Sequence, residues 1–321
     1  MEFVSSPLPS DYIRHDPRIF FSYHPENTSF QKGFLGVSTS TVSGTLHIRS
    51  PYAVEVKNIA LTFIGREVVE WGDLKKIKAE KIIFSQSDYL WEAASALGRE
   101  LITDLDLPFS FDVPEDVVES FTSQFGKVQY TLKAIVNHKA KKKIAVEVKV
   151  PLCRWSIPEE QKLRPLIIRS NARHRKMSLS WQAILPRTFF DINSEVVIKL
   201  RLVSHNPYLR IRKISAYLKT YVNYTVKNHG VLHEKRHSKY QIYGKDIQMT
   251  PVGLDTEFES NVVVKISNSV PPTCKTKYTA VKNQIHIKVS LEKSRHPVMI
   301  IRDITVGRNF MSYGDLVEQI I

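Results

Sequence analysis

The chain has 321 residues, and its composition, 42% hydrophobic and 24% charged, is that of a soluble globular protein rather than a disordered or fibrous one. The length suits two domains of roughly 150 residues, each able to bury a core without disulfide staples. The net charge of +14 either attracts anionic partners (acidic leaflets, phosphorylated tails, nucleic acid) or keeps a solvated basic surface.

Met1 to Asp16 has no basic flank followed by an apolar run, so it does not read as a signal peptide, and Met1-Glu2 excludes N-myristoylation. The dominant pattern then has period two. Val54 and Val56, then Leu61 and Phe63, are apolar positions separated by polar ones. Side chains of a strand alternate between faces, so each such run predicts a strand with one buried side. A helix is predicted between Asp88 and Leu105, where Leu90, Ala94, Leu97 and Leu101 share a helical face, although Gly98 weakens it. A single helical turn is compatible with Pro114 and the acidic pair Glu115-Asp116 after it.

Alternation returns at Val128, Tyr130, Leu132, Ala134 and Val136, and at Ile144, Val146, Val148 and Val150. It pauses from Pro151 to Lys176, a stretch with Pro151, Pro158 and Pro165 and no acid after Glu160. Proline removes a ladder donor and clustered charge opposes burial, so the domain boundary is placed there. Strands resume near Met177, with clear alternation at Val196 to Leu202, Ile214 to Leu218 and Ile285 to Leu291. Many short alternating strands predict antiparallel sandwiches. Nowhere does an apolar run approach the ~18 residues of a membrane-spanning helix. The terminal Glu318-Gln319-Ile320-Ile321 is no prenylation box.

Cys153 and Cys274 stand far apart and complete no zinc pair or CxxC motif; one long-range disulfide is open, two reduced thiols the preferred reading. His229, His233 and His237 have helical spacing, but their surroundings read as strand and loop and no carboxylate or thiol cluster joins them, which argues against zinc. The basic run from Lys227 through Lys235, Arg236 and Lys239 reads as an exposed loop, either solvated or binding anionic lipid or a phosphorylated tail. Tyr217, Tyr221 and Tyr224 beside Lys219 and Lys227 suggest base stacking, but period-two placement explains them as sheet residues, and no nucleic-acid-binding signature is present. No GxSxG elbow, phosphate loop, GxGxxG or HExxH motif occurs, so an enzyme is not expected, and no cofactor with it.

Three sets of segments resemble the arrestin superfamily, the α-arrestins most closely. The first is Val42 to Ile48 (Val-Ser-Gly-Thr-Leu-His-Ile), then Val56 to Gly65 and Trp71, similar to the family's early N-domain strands. The second is Leu107 to Pro114 (Leu-Pro-Phe-Ser-Phe-Asp-Val-Pro), then Glu119 to Phe121 and the strand from Gly126 to Ala134. The third is Val270-Pro271-Pro272, then Ile285 to Leu291 and Ile300 to Gly307, similar to the closing strands of the C-domain.

The resemblance implies an all-β fold of two tandem immunoglobulin-like antiparallel β-sandwich domains. The N-domain would be residues 1–153 and the C-domain 177–307, with a basic, proline-containing linker at 154–176 and a short tail at 308–321. It places a partner-facing loop at Arg66, Glu67, Val68, Val69, Glu70, Trp71, Gly72 and Asp73, where the family's finger loop begins. It places another at the hairpin bearing Lys139, Lys141, Lys142 and Lys143. Four lysines at a hairpin tip make a compact site for phosphate or acidic headgroups, or an ordinary turn that discourages edge aggregation. By resemblance the chain is a non-enzymatic adaptor for cytosolic tails or loops of membrane proteins in endocytosis, sorting or signalling. The alternative is a structural subunit of a retromer-like coat. It would be a cytoplasmic monomer, peripheral to an anionic plasma-membrane or endosomal surface, with no nucleic-acid partner. One departure matters. Where α-arrestins commonly carry PPxY motifs, this chain has Pro271-Pro272-Thr273-Cys274 before a strand, which reads as a structural turn. A link to a ubiquitin ligase would therefore pass through a partner. The paired phosphate-sensing lysines of visual and β-arrestins are also not evident around Phe20 to Phe34.

Overall fold

The computed structural model describes residues 18–73, 76–138, 142–170, 179–206, 208–228, 230–242, 257–292 and 296–311. The chain divides into two compact units, Met1–Trp155 and Ser156–Ile321.

The first unit contains β1 (Arg18–Ser22), β2 (Gln31–Gly33), β3 (Ser40–Trp71), β4 (Ile77–Glu92), β5 (Glu100–Val113), β6 (Phe121–Thr122), β7 (Gly126–His138) and β8 (Lys142–Lys149). Strand β9 (Trp155–Ser156) straddles the sequence boundary. The organiser is β3, 32 residues long. Its first part pairs with β1, β2 and β5. Register breaks near Arg49/Val54 and Val56/Asn58 redirect it, and its second part runs between β4 and β7. One strand thus serves both layers of the sandwich.

The core between those layers is aromatic. Phe63 of β3 stacks on Phe111 of β5 with ring centroids 6.0 Å apart, and Phe109 meets Phe21 at 6.0 Å and Phe30 at 6.3 Å. Gly65 lies opposite Tyr130 of β7, and a Cβ there would fall 2.4 Å from the tyrosine ring. The glycine is what lets this ring lie over the strand. The Tyr130 hydroxyl donates to the Val118 carbonyl at 2.6 Å, and burial holds the phenol above the usual tyrosine range. Gln31 clamps the chain after β8, accepting from the Cys153 N–H at 2.7 Å and donating to the Cys153 carbonyl at 2.8 Å.

The predicted helix over Asp88 to Leu105 is corrected by the structure. Strand β4 runs to Glu92, a loop follows, and β5 begins at Glu100. Leu97 and Leu101 are 89% and 70% exposed, so no apolar helical face is buried. Local polar groups close the loop instead: Glu100 accepts from the Ala94 and Ser95 N–H groups at 2.8 and 3.1 Å, and the Ser95 hydroxyl accepts from the Arg99 N–H at 3.0 Å. After Pro114 there is a turn closed by Val117 N–H to the Pro114 carbonyl at 3.3 Å.

The second unit contains α1 (Glu160–Leu163), β10 (Leu166–Arg169), β11 (Leu179–Leu185), β12 (Phe189–Asp191), β13 (Glu195–Ser204), β14 (Ile211–Asn228), β15 (Val231–Ile242), β16 (Glu257–Lys265), β17 (Thr279–Leu291) and β18 (Val298–Asn309). One sheet has the order β10-β11-β13-β16, the other β12-β18-β17-β14-β15. Among the described strands β10 to β18, pairing is antiparallel except between β12 and β18. The stretch 154–176, read from sequence as a linker, contributes α1 and β10, and β10 pairs with β11 from Leu166↔Leu185 to Arg169↔Gln182. Its prolines did not forbid this: Pro158 and Pro165 flank these elements without interrupting them.

The core of the second unit is aliphatic. Ile198, Leu200, Leu202 and Val264 from one sheet meet Ile214, Ala216, Ile287 and Val306 from the other. Among the described residues its buried phenylalanine and tyrosine rings are Phe189, Phe190 and Tyr224, of which Phe190 belongs to this aliphatic cluster. A polar tie runs through it. Fully buried Asn283 accepts from the Thr220 hydroxyl at 2.7 Å and donates to the Thr273 hydroxyl at 3.0 Å and the Pro271 carbonyl at 3.2 Å. Thr273 also exchanges hydrogen bonds with the Val306 backbone at 2.8 and 2.9 Å. The Pro271–Pro272–Thr273–Cys274 stretch is therefore built into the sheet, as a structural turn.

Candidate interaction surfaces

Of the hairpin lysines, Lys139 and Lys141 lie outside the described residues. Lys142 opens β8, and Lys143 is exposed opposite Asn137. Along β8, Lys143, Ala145, Glu147 and Lys149 face solvent while Ile144, Val146 and Val148 are half-buried. Among the described residues β7 is the one strand paired with β8, so β8 is an edge. Its charge is mixed lower down, where Glu147 faces Lys133. The charged edge fits the edge-protection reading, while the anion-site reading turns on Lys139 and Lys141, which lie outside the described residues.

The predicted loop at Arg66 to Asp73 is not a loop for most of its length. Strand β3 continues through Trp71, bonded to β4 as far as Trp71 and to β7 as far as Val69. Glu67 is 1% exposed, and Val69 and Trp71 are buried as well. Val68 and Glu70 take the other face; Glu70 pairs with Lys76 at 3.2 Å and Arg66 with Glu80 at 3.5 Å. The period-two pattern simply carries on past Gly65, and of the predicted loop only Gly72 and Asp73 lie beyond the end of the strand.

The second basic run is also strand rather than loop. His233 to Lys239 lie on β15, paired residue by residue with β14. Alternation separates its cations. Lys235 and Lys239 share a face with Tyr224 and Thr220, while Arg236 lies across from Asn223 on the face that carries Lys227 and Tyr221. The four side chains therefore form two pairs on opposite faces.

On the Arg236 face the structure builds something that sequence reading missed. The Tyr221 ring carries Lys219 Nζ at 4.5 Å and the Arg236 guanidinium at 4.1 Å from its centroid. Tyr217 stacks on His286 of β17 at 5.1 Å. His286 reaches Gln284 at 3.1 Å, Gln284 donates to Asp303 of β18 at 2.6 Å, and Lys282 pairs with Asp303 at 3.0 Å. Burial, assisted by Lys219, pushes the His286 imidazole below its ordinary value. Partial burial pushes the Asp303 carboxyl up, but hydrogen bonds from Gln284 and Lys282 outweigh it and hold it below the carboxylate range. Alternation along β14 hints at the tyrosine stripe, but only the register with β15 and β17 brings its partners to it.

The first unit has a smaller polar ladder across β1, β3 and β5. His47 bonds Ser22 at 2.7 Å and Asp106 at 2.7 Å, and Phe20 stacks on its ring at 4.8 Å. Hydrogen bonds from His47 and then Arg49 hold the exposed Asp106 carboxyl below its usual range. The ladder ties strands together side by side.

Cys153 and Cys274 are both half-buried and carry thiols rather than a disulfide. Among the described residues no group of three or more His, Cys, Asp or Glu side chains is arranged to hold a metal, and no helix is long and apolar enough to cross a membrane. No curated protein matches the chain. Two family models do. Residues 26–153 match the arrestin (or S-antigen) N-terminal domain, and residues 175–307 match the arrestin (or S-antigen) C-terminal domain. Both matched segments fold as all-β units in that order, and the chain belongs to the arrestin superfamily.

Proposed function

We propose that this chain is a non-enzymatic adaptor of the α-arrestin type that binds cytosolic tails or loops of membrane proteins in endocytosis, sorting or signalling. The observation that carries this reading is the pair of arrestin modules in family order over residues 26–153 and 175–307. Proteins of this family are generally adaptors that engage cytosolic regions of membrane receptors. The adaptor acts in the cytoplasm, peripheral to an anionic plasma-membrane or endosomal surface, with Lys139, Lys141, Lys142 and Lys143 supplying long-range attraction. Because Pro271–Cys274 is committed to the fold, any link to a ubiquitin ligase would pass through a partner.

The test is proximity labelling in living cells, followed by binding of the labelled tails to the purified chain. Membrane proteins whose isolated cytosolic segments bind the chain directly are the expected result. A labelled set without such proteins, or a chain found only in one large constitutive complex, overturns the adaptor reading; the latter result indicates a coat subunit.

A further inference from the structure

The β14–β15 hairpin ends in a feature that capture of a cargo tail does not explain. Strand β14 is flanked by β17 as far as Tyr224↔Thr279, and the Thr225 N–H makes a last tie to the Tyr278 carbonyl at 2.8 Å. Beyond that point β15 is the one strand paired with β14 among the described residues, through Val226↔His233, Lys227↔Leu232 and Asn228↔Val231. The base of this arm is seated, since Val226 is buried. The tip is not. Gly230 turns the chain with φ +81°, and nothing lies within 4 Å of where its Cβ would be. Immediately after it, Val231 and Leu232 are 56% and 58% exposed.

We infer that this tip enters the interfacial layer of an anionic bilayer, with Val231 and Leu232 below the headgroups and Lys227, Lys235 and Arg236 among them. The inference rests on the reading that the chain works at a membrane surface. Two geometric facts select lipid over protein. Val231 and Leu232 are consecutive on a strand and point to opposite faces, so a partner surface laid against one face covers only one of them. Tip-first entry into a bilayer covers both. The cations are likewise split, Lys227 and Arg236 on one face and Lys235 on the other. They do not converge on a single phosphate, but a plane of headgroups meets cations from both faces at once. The one acid among residues 225–239 is Glu234, so the arm is complementary to a negative surface.

The test uses the full chain and phosphatidylcholine vesicles with and without phosphatidylserine. Replacing Val231→Ser and Leu232→Ser changes two exposed side chains and should reduce partitioning onto the serine-lipid vesicles about tenfold, or ~1.4 kcal/mol. Lys227→Gln with Arg236→Gln should give a similar loss and a shallower salt dependence. For depth, Leu232→Cys carries an environment-sensitive fluorophore in a Cys153→Ala, Cys274→Ala background, and bilayer entry is read as a blue shift quenched by brominated lipid. Unchanged partitioning of the double serine variant overturns the inference. So does vesicle binding with an unshifted fluorophore, which leaves headgroup attraction only. A fluorophore that responds to phosphorylated tail peptide but not to vesicles makes the tip a peptide surface instead. Cargo is scored separately in detergent extract. Tip entry without tail capture leaves this inference standing while the adaptor reading fails, and tail capture without tip entry does the reverse.

Discussion

The two sandwiches reach the same architecture by different chemistry. The first packs rings: Phe21, Phe30, Phe63, Phe109, Phe111 and Tyr130 fill its interior, and Gly65 leaves room for one of them. The second packs branched aliphatics and runs a buried polar tie from Thr220 through Asn283 to Thr273. Their titrating groups differ too. The first carries an exposed, ion-paired Asp106, the second a buried, uncharged-favouring His286. Shape complementarity around a few large rings makes the first sensitive to volume. The second should be sensitive to lost hydrogen bonds and to mild acid.

The largest effect sharpens the volume side of this contrast. Gly65→Val drives a branched side chain into the Tyr130 ring and should destabilise the first unit by about 3 kcal/mol, measured by denaturant unfolding with hydrogen exchange read in β3 and β7. Exchange unchanged in those strands breaks the argument. Asn283→Ala should cost about 2 kcal/mol in the second unit, because two threonine hydroxyls and the Pro271 carbonyl lose their partner inside it. The readout is exchange in β14, β17 and β18.

The third prediction concerns pH. The folded His286 imidazole resists protonation, whereas an unfolded one accepts a proton near its ordinary 6.5. Below that pH the unfolded state binds more protons, so the second unit loses stability as pH falls from about 6.5 toward the lower folded value. His286→Phe keeps a ring against Tyr217 and should flatten the melting profile in that window. Asp106 is depressed from 3.8, so its contribution in the first unit is intact above that value and is lost only as pH falls through the still lower folded value. A mild-acid slope that survives His286→Phe contradicts the assignment.

Smaller still, Tyr221→Ala removes the ring under Lys219 and Arg236 and should cost about 1 kcal/mol, with a double-mutant cycle against Arg236→Gln isolating the cation contribution. Glutamine at Lys139, Lys141, Lys142 and Lys143 should leave stability within about 0.5 kcal/mol. Binding to acidic liposomes should nonetheless drop and lose salt dependence, and unchanged binding removes that hairpin from the membrane role.

Much of the fold was legible because alternation is a local signal. Val128 to Val136 and Ile285 to Leu291 declare strands with one buried face, and the structure buries those faces. The failures have separate causes. Leu90, Ala94, Leu97 and Leu101 have helical spacing, yet they fall on a strand, a loop and a second strand, and local periodicity cannot register the turn between them. The family resemblance placed a loop at Arg66 to Asp73 and the basic run at His233 to Lys239 suggested another, but one face of a sheet tolerates charge freely, and both stretches are mostly strand. The Tyr221 platform was invisible for another reason. Its cations come from β14 and β15, and which residue of β15 stands beside Tyr221 depends on register, which the sequence alone does not display.

The length of β3 has a consequence for how the protein is made. A ribosome releases the whole of β3 well before β7, one of the two strands that flank its second half. At ~5–20 residues per second, the chain waits roughly 3–13 s with that edge open after Trp71 emerges. Local pairing with β4 closes one side early, but the other side presents Leu61, Phe63 and Val69 on an unpaired strand throughout the interval. Synthesis of the first sandwich therefore contains a period of vulnerability in which a holding chaperone, or a slow stretch of translation before β7 that prolongs it, would decide the yield of folded protein.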